Sequence, residues 1–225
     1  MEKKEDTVNS TKKPWPTQAA MQQIYEMKLW GGESSDFYSG DGSHDHDIVD
    51  PYIAAVTSFL TSFENPLIVC DLGCGDFNIG KQLVPFTKKY IGIDIVPTLI
   101  ERNRNTYHAK NLEFRCSDIA KDSLPMGDCV LVRQVLQHLS NAEVQSILEK
   151  LRAYNYVILT EHIPTGIFVP NKDIISGQGT RLKKQSGLDV LAPPFQLKIK
   201  TEKQVLSVQP KNHNGVIVTT LFELF

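Results

Sequence analysis

The sequence predicts an α/β protein with a doubly wound, mostly parallel sheet, and three observations carry this prediction. From about residue 65 onward, short buried-strand patterns alternate with amphipathic helix patterns, which is typical of parallel strands joined by right-handed helical crossovers. A glycine-rich loop follows the first of these strands. The last two strand patterns have no helix between them, so we expect them to form an antiparallel hairpin.

The composition is that of a globular protein with a sizeable core. The chain has 225 residues, of which 41% are hydrophobic, and its 24 basic and 26 acidic residues give a net charge of −2. This balance gives no electrostatic reason to expect nucleic acid or an anionic membrane as a partner. The sequence shows no apolar run of the ~20 residues that a membrane-spanning helix needs. The four cysteines lack the spacing of a zinc site or a disulfide framework, and we expect a cytoplasmic protein.

The chain divides by pattern into a tail, a cap and a main unit that together form one structural domain. Residues 1–16 are polar and predict a disordered tail. Residues 17–64 predict an N-terminal helical cap, in which Asp50 and Pro51 are expected as N-cap and first residue of the second helix. Residues 65–225 hold the predicted sheet.

The glycine- and acid-rich segment 31–47 interrupts the cap, and we call it the flap. We expect it to close over a cofactor as a flap at the substrate site, together with Trp30 and Tyr38. The alternative is an exposed linker between two helices. Its aspartates and histidines are metal-ligating residue types, but they are contiguous, whereas metal ligands converge from ordered elements. We therefore expect no metal.

The individual elements follow in order along the main unit. The predicted strands are 67–71, 90–94, 112–116, 129–133, 156–160, 204–208 and 216–222. The predicted helices are 78–86, 97–106 and one that begins with a capping box made by Ser140 and Glu143.

A ligand site is predicted where the first three strands end. In a doubly wound sheet, ligands bind beyond the carboxyl ends of the strands, where the strand order reverses. Gly73 and Gly75 let the backbone approach a ligand closely. Asp94 ends the second strand and can accept hydrogen bonds from both hydroxyls of a ribose. Asp118 and Ile119 follow the third strand and suit an adenine.

A carboxylate that binds ribose hydroxyls, as proposed for Asp94, fits two classes of cofactor. A nicotinamide dinucleotide also needs a glycine three residues after Gly75, and Asn78 stands there. Asp71 would place negative charge beside a pyrophosphate, and it suits an ammonium and a sulfonium better. A nicotinamide-dependent oxidoreductase therefore remains as an alternative.

Four stretches resemble the class I S-adenosylmethionine-dependent methyltransferases: VCDLGCG at 69–75, IGIDIV at 91–96, CSDI at 116–119 and DCVLVRQVLQHLS at 128–140. The resemblance covers about residues 50–225. It implies a Rossmann-like seven-stranded sheet, six strands parallel and one antiparallel, with S-adenosylmethionine as cofactor and S-adenosylhomocysteine as product. Shorter matches, CGDFN, DIVPTLIERNR, NKDIISG and LAPPF, are similar to a bacterial subgroup of unassigned substrate.

The resemblance also implies the cofactor residues. They are Asp71, Gly73, Cys74, Gly75, Asp94, Ile95, Asp118, Ile119, Arg133 and Gln134. After the fourth strand the chain reads Arg-Gln-Val, not the Asn/Asp-Pro-Pro-aromatic tetrapeptide of methylases acting on nucleic-acid amino groups. The glutamate pair of protein arginine methyltransferases is absent from this loop as well. We therefore expect a small-molecule or sugar-like acceptor.

The candidates for a catalytic base are His138, Glu161 and His162. His138 follows the fourth strand and would act as a base near pH 7 or hydrogen-bond the backbone at a helix start. Glu161 and His162 end the fifth strand, either together on the pocket rim or in a solvated loop.

The long segment 163–200 predicts a substrate lid. It carries six basic and two acidic residues, so it favours an anionic acceptor, with Arg181 as a contact, or forms a solvated face. The sequence thus predicts methyl transfer from S-adenosylmethionine. A binding module that holds this cofactor or its product without catalysis is the other alternative.

Overall fold

The structure is a computed structural model that describes residues 15–33, 36–211 and 214–225. The predicted disordered tail falls almost entirely on residues 1–14, which lie outside the described residues. The helices are α1 (Thr17–Glu26), α2 (His46–Leu60), α3 (Gly80–Leu83), α4 (Pro97–Thr106) and α5 (Asn141–Leu151). The strands are β1 (Ile68–Leu72), β2 (Lys89–Asp94), β3 (Leu112–Cys116), β4 (Cys129–Arg133), β5 (Tyr156–Ile163), β6 (Thr201–Val208) and β7 (Val216–Glu223).

The seven strands form one sheet in the order β3-β2-β1-β4-β5-β7-β6. Strands β1 to β5 pair in parallel, and β7 runs antiparallel to both β5 and β6. The predicted fold, six parallel strands and one reversed, is confirmed. The strand order reverses between β1 and β4, so the ligand crevice is expected beyond their carboxyl ends.

Each face of the sheet is covered by its own helices, because successive side chains of a strand point to opposite faces. Cys70 and Leu72 pack in a cluster with Ile147 of α5. Val69 and Leu131 pack on the opposite face with residues of α2. Burial on both faces explains why these strands are almost continuously apolar. The cap joins this core directly, since α1 contributes Met21, Ile24 and Tyr25 to the first cluster.

Two predicted helix boundaries are wrong. The second helix begins at His46 with Asp45 as N-cap, whose carboxylate accepts the backbone N–H of Asp47. Pro51 lies inside the helix, where it removes only the hydrogen bond to the exposed Asp47 carbonyl near the helix start. The helix predicted over 78–86 is α3 followed by a 3-10 turn, Val84–Phe86, because Pro85 cannot continue an α-helix.

The segment 163–200 is ordered by polar contacts rather than by regular structure. The amide of Asn171 donates from Nδ2 to the carbonyls of Asp189 and Pro193, at 2.7 and 2.9 Å, and accepts from the Asp189 N–H at 2.9 Å. A 3-10 turn, Arg181–Lys184, is its one element of regular structure. In the described part of the chain, no helix combines the length and the apolar character needed to span a membrane.

Candidate cofactor and acceptor site

A cavity of about 500 Å³ lies at the carboxyl ends of the central strands, within the ~300–1,000 Å³ usual for small-molecule sites. The ends of β1 and β2 line one side with Asp71 and Asp94. The loop after β4 and the end of β5 line the other side with His138 and His162. We call these sides the cofactor end and the acceptor end.

The glycine loop requires its glycines. Gly73 and Gly75 have φ of 77° and 56°, a region that other residues rarely adopt. A Cβ on Gly73 would lie 2.4 Å from Cγ2 of Val135, and one on Gly75 would lie 2.4 Å from Oγ of Ser39. The N–H groups of Gly73 and Cys74 both donate to the carbonyl of Ile93, which fixes the loop to β2.

Asp94 lies under this loop and lines the cavity. Its two carboxylate oxygens accept the N–H groups of Gly75 and Val96, each at 3.1 Å. Burial raises the Asp94 pKa, while these backbone donors lower it. Each oxygen keeps a further acceptor site, which suits the hydroxyls of a ribose.

Asp118 and Ile119 line the same end from the loop after β3. The Asp118 carboxylate accepts the Ala120 N–H at 3.0 Å and the Lys121 ammonium at 2.8 Å. Ile119 is buried and apolar. Ile95 and Cys74 line the cavity between them and the glycine loop. These residues offer an apolar face and an acceptor edge, as an adenine requires.

Asp71 is the deepest carboxylate of the cofactor end. It is 7% exposed, and its Oδ2 accepts the hydroxyl of Tyr90 at 2.8 Å. Burial raises the pKa of Asp71 to about 7, with the hydrogen bond from Tyr90 and the charge of Arg133 acting in the opposite direction. Together with Asp94 and Asp118 it makes this end acidic, and these hydrogen-bond acceptors fit a cationic nucleoside cofactor.

Arg133 and Gln134 close the cavity between its two ends. The Arg133 guanidinium lies 4.8 Å from the Tyr52 ring centroid and donates to the Gly42 carbonyl of the flap. Its Nη1 donates to Gln134 Oε1 at 3.2 Å. Gln134 has φ of 56°, a strained conformation for a non-glycine residue, and such strain concentrates at functional sites.

The flap is docked on the glycine loop. The Ser39 N–H donates to Asp76 Oδ2 at 2.9 Å, and the Asp76 N–H donates to Ser39 Oγ at 2.8 Å. The His44 imidazole lies 2.6 Å from the same carboxylate. Trp30 lines the cavity, but Tyr38 does not; it stacks on His44 with ring centroids 4.4 Å apart. Tyr38 is thus part of the flap, as expected, but it lies outside the cavity wall.

Metal-ligating residues do not converge in the flap. His44 is engaged by Asp76, and His46 faces solvent beside Asp50. Across residues 15–33, 36–211 and 214–225, no group of three or more such side chains could hold a metal ion.

His138 lines the acceptor end, but both ring nitrogens are engaged. Nδ1 lies 3.2 Å from the Gly177 carbonyl and Nε2 lies 3.3 Å from Nε2 of Gln137. This pattern fits an imidazole that donates from Nδ1 and accepts at Nε2. Burial lowers the pKa of His138 to about 4, although the backbone around Gly177 raises it. These features argue against a base near pH 7, and they show His138 joining the loop after β4 to segment 163–200.

Glu161 and His162 do not share the pocket rim. They are consecutive in β5, so they point to opposite faces of the sheet. His162 lines the cavity, whereas Glu161 is buried on the face covered by α5 and is absent from the cavity wall. The prediction of Glu161 as a catalytic base beside an imidazole is wrong.

Arg181 does not contact the cavity either. It is 1% exposed and donates to the carbonyls of Leu136 and Leu139. The prediction of a substrate contact is wrong, because the side chain satisfies backbone carbonyls inside the protein. The neighbouring Lys183 lines the cavity instead.

The sequence alone did not indicate several residues of this site. Asp76 fastens the flap, Tyr90 holds Asp71, and Gln137 joins the two histidines by accepting the His162 N–H at 3.0 Å. Asp76 stands beside the glycines, and that position could have marked it. The roles of Tyr90 and Gln137 depend on contacts with residues 19 and 25 positions away in the sequence, and no local pattern marks them.

Comparisons with known proteins identify the fold. Residues 69–154 match the family described as a methyltransferase domain. The N-methyltransferase NodS of Bradyrhizobium japonicum WM9, in complex with S-adenosylhomocysteine, aligns with a TM-score of 0.68 and 13% identity over 91% of this chain and 98% of NodS. The magnesium protoporphyrin IX methyltransferase of Synechocystis PCC 6803, with S-adenosylmethionine bound, gives 0.58 and 16% over 94% and 99% of the two chains. No curated protein matches significantly.

Proposed function

We propose that this chain, a class I S-adenosylmethionine-dependent methyltransferase by its fold and its methyltransferase-domain match, transfers the methyl group to a small, polar acceptor. The observation that carries the proposal is a single cavity with two unlike ends. Three carboxylates end adjacent strands on one side, and imidazole, amide and lysine side chains line the other.

At the cofactor end, each residue has a role that its position supports. Asp94 would accept the ribose hydroxyls, and Asp118 with Ile119 would hold the adenine. Asp71 would bind the amino group of the methionine moiety. Cys74, Ile95 and the two glycines would contact the cofactor between them, and Arg133 with Gln134 would close the site beneath the flap.

At the acceptor end, the protein has to align the acceptor and exclude water. S-adenosylmethionine supplies a methyl group that its sulfonium already activates. The docked flap covers the cavity, which lowers water access, and a fixed acceptor gains from proximity and orientation. Where the acceptor is a hydroxyl, His162 is the side chain that we propose takes its proton, since Glu161 faces away and His138 has a low pKa.

The wall of the acceptor end favours a hydroxylated or sugar-like compound. Gln178 and Thr180 line it, and amide and hydroxyl groups pair with hydroxyls as donors and as acceptors.

One lysine, rather than the whole basic segment 163–200, supports the proposal that the acceptor carries an anionic group. Lys172 and Lys184 donate to carbonyls within segment 163–200. Lys200 pairs with Glu223 at 2.7 Å. Lys183 alone among the basic residues of this segment lines the cavity, so we propose that it attracts the anion.

Asn78 argues against the alternative of a nicotinamide cofactor. Its side chain donates to the Ser43 carbonyl at 2.8 Å and thereby holds the flap. A glycine loop that fits a pyrophosphate needs a glycine at this position.

The test is transfer of a labelled methyl group from S-adenosylmethionine in a cell extract that is afterwards separated into small metabolites, protein and nucleic acid. The full chain is compared with Asp94→Ala and with Glu101→Ala, an exposed control on α4. We expect labelled product from the wild type and from Glu101→Ala, and little from Asp94→Ala. Label that appears only in protein or nucleic acid would contradict a small-molecule acceptor.

A further inference from the structure

The loop 134–139 carries the side chains of Gln134, Gln137 and His138 to the cavity. Its position therefore decides the shape of the acceptor end. Two buried ionisable residues that do not line the cavity face this loop, Glu161 of β5 and Arg181 of segment 163–200. The proposed function gives neither of them a role.

Arg181 holds the loop by its carbonyl groups. Its Nη1 donates to the Leu136 carbonyl at 3.0 Å, and its Nη2 donates to the Leu139 carbonyl at 2.8 Å and to Asn141 Oδ1 at 2.7 Å. A planar guanidinium can reach all three acceptors at once, which a lysine cannot. One side chain thus fastens segment 163–200 to the loop and to the start of α5.

Glu161 faces the same loop from β5. It is 4% exposed. Its carboxyl oxygens lie near the backbone N–H groups of Gln137 and Leu136, but neither oxygen has a hydrogen bond of good geometry among the described residues. The Nε of Arg181 is likewise buried and unpaired there. Arg181 is the charged side chain that acts on Glu161, and the residue opposite Glu161 on β7 is the apolar Val218. Asp173 acts in turn on Arg181.

The same loop is linked to the cavity wall by a chain of hydrogen bonds. The backbone N–H of His162 donates to Gln137 Oε1. The Gln137 side-chain amide is in hydrogen-bond contact with the His138 ring, and that ring contacts the Gly177 carbonyl. A displacement of the loop would therefore move His138 and change its contacts with β5 and with segment 163–200.

We propose that Arg181 is a positioning residue that holds loop 134–139 and segment 163–200 in the arrangement that forms the acceptor end. Glu161 is the second member of this buried pair, because its carboxyl faces the same loop and, once ionised, draws the guanidinium away from the loop carbonyls. The turnover part of this inference rests on the proposed function, and the folding part does not. Glu161 takes no proton from the acceptor, because it does not reach the cavity.

The protonation state of Glu161 gives the pair a measurable signature. Burial raises the pKa of Glu161 to about 8, although Arg181 and the N–H groups of Gln137 and Leu136 act to lower it. The carboxyl is then neutral at pH 7. As pH rises towards about 8, the unfolded chain has already lost this proton, whereas the folded protein still holds it. The free energy of unfolding therefore falls as pH rises towards about 8 and then levels off.

Thermal and urea unfolding of the full chain from about pH 5 to about pH 9 tests this signature. We compare the wild type with Glu161→Gln and with Glu149→Gln, an exposed control on α5. Relative to Glu161→Gln, the wild-type unfolding constant should increase by up to about tenfold per pH unit and level off above about pH 8. The control should follow the wild type. A constant ratio of wild type to Glu161→Gln across this range would overturn the proposal.

Turnover separates positioning from a general loss of structure. Above about pH 8 the ionised Glu161 competes with the loop for the guanidinium, so wild-type kcat should fall there while Glu161→Gln shows no such fall. In folded Arg181→Lys, we expect kcat to fall about tenfold with the dissociation constant for S-adenosylhomocysteine within about twofold of wild type. Equal losses of kcat and cofactor affinity, or an unchanged pH profile in Glu161→Gln, would contradict the proposal. A wild type without turnover would instead contradict the proposed function. The unfolding experiment would still test the roles of Glu161 and Arg181.

Discussion

The two ends of the cavity are built in different ways. At the cofactor end, each key side chain bonds to backbone or side chains at the ends of β1, β2 and β3, as Asp94 does with Gly75 and Val96. At the acceptor end, the contacts join segments far apart in sequence, as Arg181 does with Leu136 and Leu139. The cofactor end is therefore a property of the sheet, whereas the acceptor end depends on how the loops pack.

The largest effect that we expect comes from the cofactor end. Asp94→Ala removes a carboxylate that would accept two ribose hydroxyls, and hydrogen bonds to a charged group contribute ~1.5–3 kcal/mol each. Affinity for S-adenosylhomocysteine should fall about 100-fold, as measured by calorimetry. Circular dichroism checks that the variant is folded, and Glu101→Ala serves as the control. A fall of less than threefold in folded protein would remove Asp94 from the site.

A second prediction uses the pKa of Asp71, which burial raises to about 7. The ionised carboxylate binds an ammonium better than the neutral form does. Affinity for S-adenosylhomocysteine should therefore increase by up to about tenfold between about pH 6 and pH 8, and Asp71→Asn should abolish that increase. A pH-independent affinity in the wild type would show that Asp71 does not meet the amino group.

A third prediction concerns the acceptor end and uses two adjacent lysines. Lys183 lines the cavity, whereas Lys184 donates to the Asp173 carbonyl outside it. For an anionic acceptor, Lys183→Glu should raise KM by about five- to tenfold, and Lys184→Glu should change it by less than twofold. Cofactor affinity should stay unchanged in both variants. Equal effects of the two substitutions on KM would argue for a general surface charge effect.

The smallest effect is expected in the flap. His44→Ala loses the contact with Asp76, but Ser39 still holds that carboxylate. Affinity for S-adenosylhomocysteine should fall by about three- to fivefold. His46→Ala is the matched control, because this imidazole is 89% exposed. An identical affinity in the two variants would mean that the docked flap does not contribute to binding.

The same contrast explains what the sequence could predict. The strand and helix alternation, the glycine loop and the carboxylates at the strand ends follow local rules, and the seven-stranded sheet is confirmed. Successive side chains of a strand point to opposite faces of the sheet, so a strand that contains Glu161 and His162 already implies that they face opposite ways. The burial of Arg181 left no such signal, since its acceptors lie about 40 residues earlier in the chain. The predicted start of the second helix at Pro51 is wrong because its N-cap is Asp45, five residues before Asp50.

Calorimetric titration of the full wild-type chain with S-adenosylhomocysteine is the decisive experiment for the proposed cofactor site. We expect saturable binding with a micromolar dissociation constant, one cofactor per chain, and no comparable heat with NAD. Folded protein that binds NAD but not S-adenosylhomocysteine, or that binds neither, would contradict it.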